Sequence, residues 1–351
     1  MVDVGLGTNS RIADKRSVRI PHTRRNGNMM ASTSKPPPMV RYFGLRFLLF
    51  YILLLLGFFR VATRFQPRNQ PFRLARFAGW LQRVDLRDRI LYNVNRAFSD
   101  EPLSPEKLEA IWEGHLKHMG LTLMETPRLL RMSPQQVSEH IRFEGEEHLK
   151  AALSQGRGVV VFLSHLGHFS LVIGFLAKRG YDVTVAGAVP PLVGWRLRKN
   201  YSRVGAKLVV IGSKGLFPAA ETLRRNGLLI VFFDHCMTEK HSVWAECGLN
   251  GMRMHIGPAI LALRQRAPAL YVSSRRIGEC RHVIRADPAV EHPLDGRLEE
   301  RAAVLTGRIA STFIAELRER ADQWWLWNTA AIRTPRRAEP TTVATQHSLT
   351  T

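Results

Sequence analysis

Gly156–Ser170 reads GRGVVVFLSHLGHFS, and this stretch decides the fold. Val159–Leu163 is a short continuous apolar run rich in β-branched residues, which predicts a buried strand. His165 follows at the carboxyl end of that strand. Phe169 to Lys178 then predicts a helix. In open α/β sheets, ligand sites gather at the carboxyl ends of strands, so the run marks both the architecture and a candidate site. The same texture repeats downstream, with strands expected over Asp182–Ala186, Leu208–Ile211, Leu228–Phe233 and Ala269–Ser273. Helical stretches lie between them, Phe217–Arg225 among them, and a final helix is expected over 299–321. Strands alternating with helices predict an α/β fold, a largely parallel central sheet flanked by helices.

Upstream, residues 72–150 read as helical. Leu86–Phe98 and Leu108–Leu123 carry apolar residues at helical spacing. Ser104-Pro105 and Ser133-Pro134 each place a capping serine before a proline suited to the first helical position. Residues 1–40 are polar, basic and broken by Pro36, Pro37 and Pro38, which predicts a disordered tail. Phe47–Phe59, FLLFYILLLLGFF, is an unbroken apolar run of 13 residues, shorter than the roughly 20 a spanning helix needs. Its flanks are basic, with Arg41 and Arg46 before and Arg60, Arg64 and Arg68 after. A membrane-associated helix over 41–64 is expected, lying in or dipping into the cytoplasmic leaflet; the alternative is a core helix. The main domain is expected over 65–335, with a disordered tail at 336–351. No internal repeat is present.

The 351 residues carry 51 Lys+Arg against 29 Asp+Glu, a net charge of +22. Such an excess speaks to partners. The first hundred residues hold 18 Lys/Arg and 5 Asp/Glu, so more than half the excess surrounds the most apolar stretch. That placement favours an anionic membrane surface over nucleic acid, for which no zinc-finger, RNA-binding or basic-zipper pattern appears. Three cysteines, Cys236, Cys247 and Cys280, are too few for a disulfide framework and fit a reducing compartment.

His165 is suited to general-base work, since an imidazole titrates near neutral pH. The alternative is a strand-end histidine bonded to backbone. Gly167 would let a substrate approach the backbone, or serves the turn. His168 could bond substrate or begin the helix. Asp234 ends the strand Leu228–Phe233 and should share a sheet edge with His165; it is a candidate acid or a turn cap. Arg196 and Arg198 in WRLRKN (Trp195–Asn200) suit phosphate, as does Arg275-Arg276; a solvated basic face is the other reading. His165, His168, His235 and Cys236 together match no known metal-ligand spacing, and no metal is expected. Trp324, Trp325 and Trp327 read as packing or as a membrane-interface belt.

His165-Leu-Gly-His-Phe-Ser170 sits where the lysophospholipid acyltransferase superfamily has His, four residues, then Asp or Glu. Its surroundings resemble the lipid A lauroyl/myristoyl acyltransferase branch. The matching blocks run in order: the single apolar N-terminal helix, RDRILYNVNRAFSD (Arg87–Asp100), GLTLMET (Gly120–Thr126), GRGVVVFLSH, FFDHCMTEKHSVWAECGL (Phe232–Leu249) and QWWLWNTAAIRTPR (Gln323–Arg336). The resemblance covers roughly residues 42–337. It implies transfer of a fatty acyl chain from acyl carrier protein, or from coenzyme A, to a hydroxyl of a lipid or glycolipid acceptor, without a cofactor. It also implies an inner-membrane protein whose catalytic domain faces the cytoplasm and meets anionic lipid. His165 carries over as the base. Ser170 departs from the pattern: it could hold the ring by a hydrogen bond but supplies no charge, and Asp234 is the substitute acid. His235 matches the His or Gln that follows this Asp in the family and is a candidate substrate contact. Two further readings stand beside this one: a lipid-binding homologue that lost its activity, and an acyltransferase with another acceptor.

Overall fold

In the computed structural model, the described residues are 87–335, except 130, 188, 190, 212–215, 237, 238, 330 and 331. The tails, the 41–64 apolar segment and the chain as far as residue 86 lie outside them. Among the described residues no helix is long and apolar enough to cross a membrane.

Helix α1 (87–97) leads into α2 (Pro105–Leu129) and α3 (Pro134–His140). Both serines expected as caps do cap: Ser104 Oγ accepts from Lys107 N, and Ser133 forms a reciprocal capping box with Gln136. The alternating part follows. It comprises β1 (Ile141–Glu144), α4 (Glu146–Leu153), β2 (Val159–Leu163), α5 (Phe169–Lys178), β3 (Val183–Gly187), α6 (Pro191–Arg203), β4 (Lys207–Val210), α7 (Leu216–Arg224) and β5 (Leu228–Phe232). Then come β6 (Ser242–Cys247), β7 (Asn250–His255), α8 (Gly257–Gln265), β8 (Ala269–Gly278), β9 (Arg281–Ala286), α9 (Leu298–Glu319) and a 3₁₀ turn over Ala321–Gln323.

The main sheet has seven strands in the order β1-β9-β8-β2-β5-β3-β4. Every neighbouring pair is parallel except β8–β9. This is the expected mixed α/β architecture with a mostly parallel sheet. Alternate residues of β2 enter different cores: Val160 and Phe162 pack with α8 and α9, while Val159, Val161 and Leu163 pack with α5. Burial on both faces explains why the strand reads as a continuous apolar run.

Four strands depart from the sequence reading. Residues 141–144 are β1, not helix, and β9 and the antiparallel hairpin β6–β7 were not anticipated. Ile141–Glu144 is IRFE, a charge-interrupted edge strand, so it lacks the continuous apolar signature.

Candidate active site

β2 and β5 are parallel neighbours, with Leu163 paired to Phe232. Two residues further along each strand, the same register sets His165 opposite Asp234. The strand ends thus bring a base and an acid together across a separation of 69 positions. His165 Nδ1 and Asp234 Oδ1 are 2.8 Å apart, and His165 N donates to Asp234 Oδ2 at 2.7 Å. Opposite a carboxylate, Nδ1 carries the proton, which leaves Nε2 as the basic lone pair. Among the described residues Nε2 meets no hydrogen-bond partner. The His165 side chain is 21% exposed and that of Asp234 is fully buried.

A second donor fixes the acid. Trp324 Nε1 donates to Asp234 Oδ2 at 2.9 Å. Burial alone would push the Asp234 carboxyl up. The charge of His165 and the three hydrogen bonds outweigh it, and the pKa lies below the ordinary 3.8. The ring of His165 is stacked on Phe232 at 4.2 Å and meets the edge of Phe169 at 5.0 Å. Trp325 N donates to His165 O, and Gly167 N donates to Gln323 O. The segment 323–325 therefore holds the turn through an isolated antiparallel bridge between Leu166 and Trp324. The tryptophan block, read as packing or a membrane belt, has one indole bonded to the acid. A buried indole needs an acceptor for its N–H, which is the signal that could have drawn attention to Trp324.

The other sequence candidates separate. Ser170 is not the ring's support: Nδ1 of His165 is taken by Asp234, and Ser170 makes no hydrogen bond to the imidazole. It lines a narrow cleft between α5 and α6 instead, along with Leu171, Phe175, Leu197 and Tyr201, with a cavity of about 50 Å³. Gly167 does not leave its backbone open to a ligand, because both of its polar groups are bonded. Its φ is +69°, and an added Cβ would come within 1.9 Å of Ser274 O, so packing and the turn require glycine. His168 is the N-cap of α5. Its Nδ1 accepts from Leu171 N, and its ring is fully buried with its pKa pushed down to about 3 by burial and by the neighbouring His282.

His235 adjoins Asp234. Partial burial and the charge of the nearby His165 depress its pKa. Arg198 lies exposed on α6, which also carries Arg196; the Arg196 side chain is outside the described part. No contact links Arg198 to the His165–Asp234 pair. Arg276 is not a free phosphate ligand: its side chain is 9% exposed and paired with the buried Glu125. Among the described residues no group of three or more His, Cys, Asp or Glu side chains is placed to hold a metal.

The helix that resembles the family's Asn-rich block also reaches the site's framework. Asn93 Nδ2 donates to Trp327 O at 2.7 Å, and Arg96 bonds Ile332 O and Asn250 Oδ1. Two sequence blocks more than two hundred residues apart are thereby one structural unit behind the acid.

Compared with known families, residues 41–328 match the model of the bacterial lipid A biosynthesis acyltransferases. Among curated proteins the comparison finds no match. The match spans most of the chain and includes both His165 and Asp234, so the chain belongs to the bacterial lipid A biosynthesis acyltransferase family and is an acyltransferase acting on a lipid-related acceptor.

Proposed function

We propose that this protein transfers a fatty acyl chain from an acyl thioester, that of acyl carrier protein in the first place, to a free hydroxyl of a glycolipid at the cytoplasmic face of the inner membrane. The observation that carries the reading is the pairing of His165 Nδ1 with buried Asp234, which leaves Nε2 as an accessible base.

His165 Nε2 removes the acceptor's hydroxyl proton as its oxygen attacks the thioester carbonyl. The tetrahedral intermediate collapses by breaking the carbon–sulfur bond. The departing thiolate takes the proton from the imidazolium, so base and acid are the same ring. No acyl-enzyme intermediate is needed. Asp234 stabilises the imidazolium by its charge and keeps the tautomer correct, a pairing that in serine hydrolases is worth about 10⁴ in rate when the acid is neutralised. Asp234 thus does the work of the acidic residue that Ser170 replaces.

The cleft between α5 and α6 is the proposed seat of the acyl chain. It is lined chiefly by Leu171, Phe175, Leu197, Tyr201 and Val204, an apolar lining of the kind a hydrocarbon chain requires. Arg196 and Arg198 on α6 are the proposed contacts to acceptor phosphate, and His235 a contact beside the base. The net charge of +22 supports meeting both anionic lipid and an acidic carrier protein.

The test is acyl transfer by the purified protein in anionic vesicles. It would be given dodecanoyl thioesters of acyl carrier protein and of coenzyme A, with either a lipid A precursor or lysophosphatidic acid as acceptor. Product on the glycolipid, fastest from the carrier protein, is expected. Transfer confined to lysophosphatidic acid would overturn the acceptor assignment, and equal or better use of coenzyme A would overturn the donor assignment.

A further inference from the structure

Behind the His165 turn lies a buried polar cluster that the transfer step does not use. Glu125 of α2 is its centre. Its Oε1 accepts from Arg276 Nη1 and from Cys280 N at 3.1 Å, and its Oε2 from His282 Nε2 at 3.1 Å. A buried ion pair of this kind is weak evidence for net stability, so its geometry has to be asked what it positions.

The answer lies one turn or two back along α2. Thr122 and His118 share a helix face with Glu125. Arg276 Nη2 donates to Thr122 Oγ1 at 3.2 Å, and Arg276 Nε donates to His118 Nδ1 at 3.3 Å. A ring nitrogen that accepts carries no proton, so the proton of neutral His118 sits on Nε2. Nε2 then donates to Gly167 O at 3.2 Å. The guanidinium thereby dictates the tautomer of a histidine that grips the peptide two residues after the base.

The main chain of Arg276 reaches the same peptide from the other side. Arg276 N donates to Gln323 Oε1 at 3.0 Å, and Gln323 O accepts from Gly167 N at 2.9 Å. Both polar groups of Gly167 are therefore held by partners that Arg276 organises. Carbonyl and N–H point opposite ways across a trans peptide, so fixing Gly167 O also fixes the direction of His168 N–H.

We propose that His118 is a positioning residue of the acyl-transfer reaction: held by Arg276 in its Nε2–H tautomer, it pins the Gly167 carbonyl and so sets the His165 turn. It touches neither substrate nor the base. The inference rests on His165 being the base, and the experiment separates the two.

Acyl transfer is measured for wild type, His165→Ala, His118→Leu and His118→Gln, with a thermal melt of each. Glutamine can accept from Arg276 through its oxygen and donate to Gly167 through its nitrogen; leucine can do neither. His118→Leu is expected to lower kcat on the order of tenfold to a hundredfold while KM for the thioester stays within about threefold, the size of loss that a small displacement of reacting groups causes. His118→Gln is expected to recover most of that loss. Wild-type kcat in His118→Leu, or equal impairment of both variants, would overturn the proposal. A fully active His165→Ala would instead remove the reading beneath it. Should His118→Leu not fold, ¹⁵N-histidine spectra of the wild-type protein, assigned against His118→Gln, decide: an Nε2–H ring is expected, and an Nδ1–H or doubly protonated ring at neutral pH would overturn the proposal.

Discussion

Asp234 gathers the ring of His165, the backbone N–H of His165 and the indole of Trp324 on two oxygens. A buried carboxylate with three donors stays ionised, and one that loses a donor is pulled toward its neutral form. Trp324→Phe keeps the aromatic body against Phe313 and Trp327 but removes one charge-assisted bond. Such a bond contributes about 1.5–3 kcal/mol. A loss in that range is expected in urea titration, together with a fall in kcat; unchanged stability and rate would mean that the indole bond contributes nothing. Asp234 could be singled out from the sequence because it ends a buried strand, and strand ends share an edge. Trp324 could not, because nothing in WWLW says which indole turns inward to an acid. Ser170 shows the converse: its place in the motif suggested a bond to the ring, but the ring's donor was already taken.

At the scale of elements, the parallel strands could be located from the sequence because burial on both faces leaves continuous apolar runs. β9, RHVIRA, mixes charged and apolar residues, and β6–β7 forms outside the main sheet, so neither carries that signature. The buried polar cluster on α2 was equally hidden. His118 and Glu125 lie at ordinary helical spacing, and their partners come from β8, β9 and the His165 turn. Its energetics are testable. Burial holds His115 neutral, its pKa pushed down to about 4; burial and Arg276 hold His118 well below the ordinary 6.5; and His168 is pushed down to about 3. Below pH 6.5 the unfolded chain binds protons on these rings that the native state does not, so stability is lost as pH falls. The slope is roughly 1.4 kcal/mol per pH unit for each ring. Urea midpoints should therefore drop between about pH 7 and about pH 5, above the carboxylate range; a midpoint flat over that interval would contradict the burial of neutral imidazoles. Gly167→Ala belongs to the same scale. It places a Cβ against Ser274 O at a positive φ, and a loss of more than about 1 kcal/mol is expected. A variant as stable and active as wild type would refute the close contact.

For the whole molecule, the fold puts its chemistry where two neighbouring parallel strands end, and the sheet's register does the alignment. Trp324, on the segment after α9, bonds Asp234, and α1 is tied to that segment through Asn93; the acid is fully buried while His165 remains partly open. The charge of +22 should make attachment to anionic vesicles strongly salt-dependent, and sedimentation at low and high salt reads this directly. Attachment indifferent to salt would point to the apolar segment alone. The central claim is that Asp234, rather than the residue five places after the base, supplies the negative charge for acyl transfer. It is tested most directly by comparing kcat of Asp234→Asn and Ser170→Ala with wild type on one acyl thioester. The account expects Asp234→Asn to fall by about 10⁴ and Ser170→Ala to remain within about threefold. An active Asp234→Asn beside an inactive Ser170→Ala would contradict it.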